Sequence, residues 1–225
     1  MTTRTPRTPG FKGFPPEALD FWAGLEADNS KAYWTAHKDL YERCVRAPME
    51  ALTEACAEFG DFKIFRPYRD VRFSRDKSPY KTHMGAVTEG EGGSLYYVQL
   101  SATGLFAAAG YYMMASDQLD RYRAAVVEDK SGDELEVVVT GLEKAGYDVG
   151  AHETLKTAPR GFPKDHPRAP LLRRKGLIAG RAFLPARWLH TRAARDRVVK
   201  VWTDAAPLCA WLDRHVGPSH EPPER

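Results

Sequence analysis

The sequence predicts an α+β fold in which an antiparallel sheet, from about residues 62–113 plus a later strand, packs against N-terminal and C-terminal helices. Two observations predict it. Between 62 and 113 apolar residues alternate, as in Leu95-Tyr96-Tyr97-Val98-Gln99-Leu100-Ser101, and glycines punctuate the runs. On both sides of that stretch apolar residues return every three or four positions, the period of a helix with one buried stripe. With 225 residues, 43% hydrophobic and 28% charged, one globular domain with a real core is expected.

Residues 1–10, rich in Thr, Pro and Arg, suit a disordered basic tail, residues 11–217 a single domain, and residues 218–225 a polar tail. Pro15-Pro16 precedes a helix carrying Leu19, Phe21, Trp22 and Leu25. Asn29 or Ser30 then caps a helix with Tyr33, Trp34, His37, Leu40, Tyr41 and Cys44. Pro48 marks a break and opens a third helix that Gly60 ends. A strand is expected over residues 66–73, then strands at Met84–Thr88, Leu95–Ser101 and Leu105–Met113, the last two as a hairpin turning at Thr103-Gly104. Ser116 caps a following helix, and Ser131 with Glu134 reads as a capping box for the next. A rigid loop at 159–167 leads to a short helix around Leu171 and a strand at 176–184. The last helix runs from Val198 to Val216 in a 3.5-residue rhythm, which Pro207 kinks or restarts.

With 33 Lys and Arg against 30 Asp and Glu for a net +3, the chain is mildly basic and well short of a histone-like composition, so nonspecific nucleic-acid binding is allowed but not demanded. No leader or apolar span is evident, and a cytoplasmic protein is expected. Cys44, Cys56 and Cys209 are odd in number and unpaired in spacing, which fits small reduced core residues better than a disulfide framework. His37, His83, His152 and His166 show no metal-ligand spacing, so no metal is assigned. Gly90, Gly92 and Gly93 lack the strand–loop–helix setting of a phosphate cradle, and adjacent Tyr80-Lys81 does not match a helical Tyr-x-x-x-Lys pair. Nothing names a cofactor.

Against that even background, Ile64–His83 holds six full positive charges, Arg66, Arg69, Arg72, Arg75, Lys77 and Lys81, with only Asp70 and Asp76 to oppose them. As a strand, Tyr68, Asp70 and Arg72 share one face, and Arg69, Val71 and Phe73 the other, with Val71 and Phe73 toward the core. The ordinary explanation of such arginines is structural ion pairing. The sharper one is convergence on a phosphate or carboxylate, since guanidinium forks suit bidentate anion recognition. Tyr68, Arg69, Arg72, Arg75, Lys77, Tyr80 and Lys81 would then bind the anion. Asp70 would orient an arginine, and His83 or His166 would move a proton, histidine being the side chain that titrates near neutrality. The alternative is a nucleic-acid or protein-interaction module on an exposed basic face, with Arg4, Arg7 and Lys12 adding charge.

The run Tyr68-Arg69-Asp70-Val71-Arg72-Phe73-Ser74-Arg75-Asp76-Lys77-Ser78-Pro79-Tyr80-Lys81-Thr82-His83 resembles the family catalogued as domain of unknown function 2461. So do Gly13-Phe14-Pro15, Phe21, Leu25, Asn29, Trp34, Gly161-Phe162-Pro163 and Asp165-His166-Pro167. The similarity extends over about residues 11–217, with His37 and Arg160 departing from the pattern. It implies a single domain and emphasises the same two stretches, but implies no activity. Both are rigid, charged and proline-bearing, so the 161–167 loop is expected to lie near the 66–83 stretch.

Overall fold

Helix α1 (Glu17–Ala27) follows Pro15-Pro16 and buries Ala18, Phe21, Trp22 and Leu25 along one stripe. The computed structural model describes residues 10–70, 72, 76–88 and 93–221. Of the two capping candidates Ser30 does the work, accepting from Tyr33 N–H at 3.1 Å to start α2 (Lys31–Tyr41). The chain does not break at Pro48. It passes through a π-helical turn, Glu42–Arg46, into α3 (Ala47–Glu54), with Pro48 in the first turn and Ala47 N–H reaching back to Glu42 O. A proline within a helix clashes with the carbonyl four residues earlier, and a widened turn is one way to relieve that clash.

Six strands follow the α+β expectation: β1 (Phe62–Ile64), β2 (His83–Thr88), β3 (Leu95–Ser101), β4 (Gly104–Tyr111), β5 (Asp148–Gly150) and β6 (Leu177–Phe183). They form one antiparallel sheet in the order β1-β2-β3-β4-β6-β5. Among the described residues of 66–73 no strand is assigned. β1 pairs Phe62–Ile64 with Thr88–Ala86 and ends before Pro67, which has no N–H to give a ladder. Beyond it, the described residues of this stretch form an isolated bridge between Tyr68 and Tyr80. Val71 and Phe73, on which the two-face reading rests, lie outside the described residues.

The helices after the hairpin are α4 (Ser116–Val127), α5 (Asp129–Lys144), α6 (Ala169–Leu172), α7 (Ala193–Asp204) and α8 (Ala206–His215), Pro207 restarting the last. Two caps differ from expectation. Ser116 is already helical, and Ala115 N–H is taken by Gln118 Oε1 at 3.0 Å. For α5 the cap is Glu128, whose carboxylate accepts from Lys130 N–H and Ser131 N–H. Ser131 is buried and donates to Ala125 O, so the Ser-x-x-Glu spacing is coincidental. Among the described residues no helix is long and apolar enough to cross a membrane.

The chain divides into two compact units, each assembled from separated segments. The first comprises Met1–Thr88, Val98–Phe106 and Ala182–Val199, and the second Glu89–Tyr97, Ala107–Arg181 and Lys200–Arg225. In the first, Phe14, Phe21, Trp22, Leu25, Tyr41, Met49 and Leu52 are withdrawn from solvent, with Phe21 against the rings of Trp22, Tyr33, Trp34 and Tyr41. In the second, buried rings keep their polar tips satisfied. Trp202 Nε1 donates to Tyr97 O on β3, Trp211 Nε1 to Ser131 O and Tyr122 OH to Leu171 O. The three cysteines are buried and free.

Arg168 ties α6 to α5. Its buried guanidinium donates to Glu136 Oε2 and Val126 O and pairs with Asp133. Gly132 makes the room, because a Cβ there would stand 2.2 Å from Arg168 Nη1 and 2.4 Å from Val126 O. Alanine ordinarily stabilises a helix interior relative to glycine by about 0.5–1 kcal/mol. Here Gly132→Ala should instead cost about 1–3 kcal/mol through overpacking. Urea denaturation decides it, and a gain in stability would show that Arg168 yields freely.

Candidate functional site

The basic stretch is organised by two prolines and one asparagine. Tyr68 and Tyr80 face each other as a non-hydrogen-bonded antiparallel pair, flanked by Arg69 N–H to Pro79 O at 2.9 Å and Lys81 N–H to Pro67 O at 2.8 Å. Each flanking pair would normally exchange two hydrogen bonds. Pro67 and Pro79 can only accept, so each pair keeps one. The bridge is reinforced from outside the stretch by Asn29, whose Nδ2 donates to Tyr80 O at 3.1 Å and whose Oδ1 accepts from Tyr80 N–H at 3.0 Å. Asn29 was free for this because Ser30 supplies the cap.

Aromatic packing finishes the attachment. Tyr80 is buried and stacks on Trp34, with ring centres 4.5 Å apart and planes 10° from parallel. Tyr68 leans on both, 5.5 Å from Tyr80 and 6.1 Å from Trp34, with 51% of its surface exposed. Tyr41 backs Trp34 at 4.8 Å. Burial raises the Tyr80 and Tyr41 phenols above their ordinary range, so both are neutral and packing. Tyr33 stacks on His37 at 4.0 Å, and of the aromatic face of α2 Trp34 and Tyr41 are buried while Tyr33 and His37 stay half-buried.

The charged groups sort into paired and unpaired. Asp70 accepts from Arg72 Nε at 3.1 Å and Nη2 at 2.7 Å, and from Arg72 N–H at 3.2 Å. These bonds hold its carboxyl down at about 2. Asp70 therefore orients an arginine, and Arg72's own fork is occupied while the side chain stays 77% exposed. Arg69 pairs with Asp76, which also accepts from Ser78 N–H at 2.9 Å and Ser78 Oγ at 2.5 Å. Lys81, half-buried, lies 5.2 Å from the Phe65 ring centre. Burial first, then Arg66 and Arg69, lowers its ammonium pKa. His83, half-buried at the start of β2, is lowered from 6.5 by burial, then Lys81 and Arg69. Arg66, Arg69, Lys81 and His83 thus form one electrostatic neighbourhood. Arg66, Lys81 and His83 make no ion pair with a described carboxylate. Lys77 is exposed.

Arg75 lies outside the described residues, as do Arg4, Arg7, Ser74, Gly90 and Gly92. His166 belongs to the second unit and His83 to the first, so each is described within its own unit. His166 Nδ1 accepts from Arg168 N–H at 3.0 Å, closing the turn that leads into α6. Among the described residues no group of three or more His, Cys, Asp and Glu is arranged to hold a metal ion.

These features define an α+β protein with an antiparallel sheet and a proline-braced, aromatic-backed cationic loop beside β2. The chain belongs to the family of conserved hypothetical proteins DUF2461, whose family model matches residues 17–211 and so takes in the loop and the 161–167 segment. No curated protein and no solved structure matches the chain.

Two outcomes test the geometry. Asn29→Ala strands two main-chain groups of Tyr80 and should cost about 1–3 kcal/mol, followed by tryptophan fluorescence on denaturation. Wild-type stability in that variant would mean the bridge holds without the clamp. For His83, a depressed folded pKa means the unfolded chain takes up the proton first as pH falls. Stability should therefore decline from about pH 6.5 downward through the lowered folded pKa, and His83→Gln should flatten that part of the pH profile.

Proposed function

We propose that the first unit binds an anionic small molecule, bearing phosphate or carboxylate, at Arg66, Arg69, Lys81 and His83 beside the Tyr68–Tyr80–Trp34 stack. The supporting observation is the imbalance of charge. Four basic groups are near enough to lower Lys81 and His83, yet Asp76 on Arg69 is the ion-pairing carboxylate they have among the described residues. Like charges crowded at partial burial are costly, and an anion among them removes that cost. The arginines would supply planar forks and Lys81 a point charge. His83, neutral above its lowered pKa, would be the group placed to accept a proton. Tyr68 offers an exposed ring for an apolar or planar part of the same ligand.

The exposed Tyr68 ring, with the exposed Arg72 four residues on in the sequence, also supports a second reading, a single-stranded nucleic-acid face with bases stacking on Tyr68.

Thermal-shift and calorimetric titration with inorganic phosphate, phosphomonoesters, dicarboxylates and nucleotides in ~0.15 M salt separates the two. The pocket reading expects about 2.7 kcal/mol of added stability at a hundred times Kd. It also expects loss of that gain in Lys81→Met, and affinity that strengthens as pH falls toward the lowered pKa of His83, because the anion favours the protonated ring. No response to any small anion, with oligonucleotide binding that weakens with salt by about 0.7 log units per phosphate, would replace it with the nucleic-acid face.

A further inference from the structure

The second unit holds a cavity of about 300 Å³ lined by Lys156, Thr157, Ala158, Lys164, Ala169, Pro170 and Arg173. Three of these seven residues are cations and none is a carboxylate. The segment from Lys156 to Lys175 carries seven cations against Asp165 alone. Two of the seven are spoken for, Arg168 by Asp133 and Glu136, and Lys175 by Glu153. Lys156, Lys164 and Arg173 make no ion pair with a described carboxylate. Arg173 Nη1 reaches Lys156 O only at 3.4 Å, and its Nε is buried without a partner. A buried guanidinium N–H left unsatisfied is costly, and such groups normally have an acceptor. The backbone around the cavity is firm: Leu155 N–H donates to Arg173 O at 2.8 Å, and Thr154 bridges Arg174.

We propose that this cavity is a second anion site, for a small phosphomonoester, with Arg173 and the two lysines around the phosphate and Thr157 Oγ1 within the lining as a further donor. A tetrahedral dianion accepts from several donors at once and answers three cations better than a single carboxylate does. The volume stands at the lower end of ligand pockets, which suits a phosphate on a short carbon body and not a nucleotide. The site shares no residue with the cationic loop of the first unit and does not depend on it.

The experiment uses the full chain with glycerol 3-phosphate, inorganic phosphate and succinate as probes, followed by calorimetry and ³¹P line broadening in ~0.15 M salt. Saturable binding of glycerol 3-phosphate is expected, weakened at least tenfold in the Lys156→Ala/Lys164→Ala chain and in Arg173→Met. In the Lys81→Met background, which removes the phosphomonoester site proposed for the first unit, one saturable glycerol 3-phosphate site should remain, and the substitutions above should weaken it. The two lysines are exposed, so the double variant stays folded even if Arg173→Met does not. Equal affinity in wild type and the double variant overturns the proposal. So does loss of binding in Lys81→Met alone, which would assign the phosphate to the first unit. No binding of either phosphate probe, or succinate bound as tightly as glycerol 3-phosphate, overturns it as well.

Discussion

The pairing of the Asn29 side-chain amide with both main-chain groups of Tyr80 is the contact on which the cationic loop depends. Pro67 and Pro79 deprive the bridge of half of its flanking hydrogen bonds, so the loop cannot zip into a hairpin by itself. An asparagine amide presents one donor and one acceptor at nearly the spacing of a peptide group, and so replaces a missing strand neighbour. The prolines serve a second purpose. By stopping the ladder after Phe65 they keep Arg69 and Lys81 out of a regular sheet edge, where side chains would alternate to opposite faces. The result is that residues 67–69 and 79–81 are irregular yet tied to each other and to Asn29.

Aromatic stacking converts that attachment into something stiff. Trp34 lies flat on Tyr80 from one side and is itself backed by Tyr41, so the loop's anchor continues into the ring cluster around Phe21. Trp34 and Tyr41 are two helical turns apart on α2, which puts them on one face. The π turn begins immediately after Tyr41, where the helix has finished supplying rings to this cluster and must next accommodate Pro48. Rigid backing matters for a site made of like charges. Flexible cations move apart and hydrate, whereas cations on a braced backbone stay crowded and keep an electrostatic cost that the proposed anion would remove.

Much of this was legible in the sequence because it follows from period and turn chemistry. The β3–β4 hairpin, the α1 stripe and the restart at Pro207 need only neighbouring residues to be understood. The strand expected over 66–73 shows the limit. Alternation there is a pattern of residue types, whereas a ladder needs donors, and Pro67 was a stronger local instruction than the alternation. Ser131 failed for a related reason, since Glu128 reaches the same N–H groups with a longer side chain and leaves the serine to the core. The role of Asn29 spans 51 residues of sequence and has no local signature beyond two capping residues standing side by side where one suffices.

What separates a structural arginine from a candidate ligand arginine is the count of acceptors around it. Arg168 has two carboxylates and a carbonyl, Arg72 one carboxylate used twice, and Arg69 one carboxylate that also organises its own turn. For Arg168 and Arg72 the guanidinium is satisfied by the fold, and replacing a partner leaves an uncompensated charge. Arg66, Lys81 and His83 in one unit, and Lys156, Lys164 and Arg173 in the other, have no such carboxylate among the described residues. Solvent answers the exposed lysines at little cost, but not the buried Nε of Arg173 or the half-buried Lys81, whose pKa is lowered by burial and then by Arg66 and Arg69. Charge density alone would have ranked all these residues together. Among the described residues Arg123 Nε and Arg174 Nη1 are buried and unpartnered as Arg173 Nε is, so what marks Arg173 and the half-buried Lys81 as places for the proposed anions is the company of other cations at each.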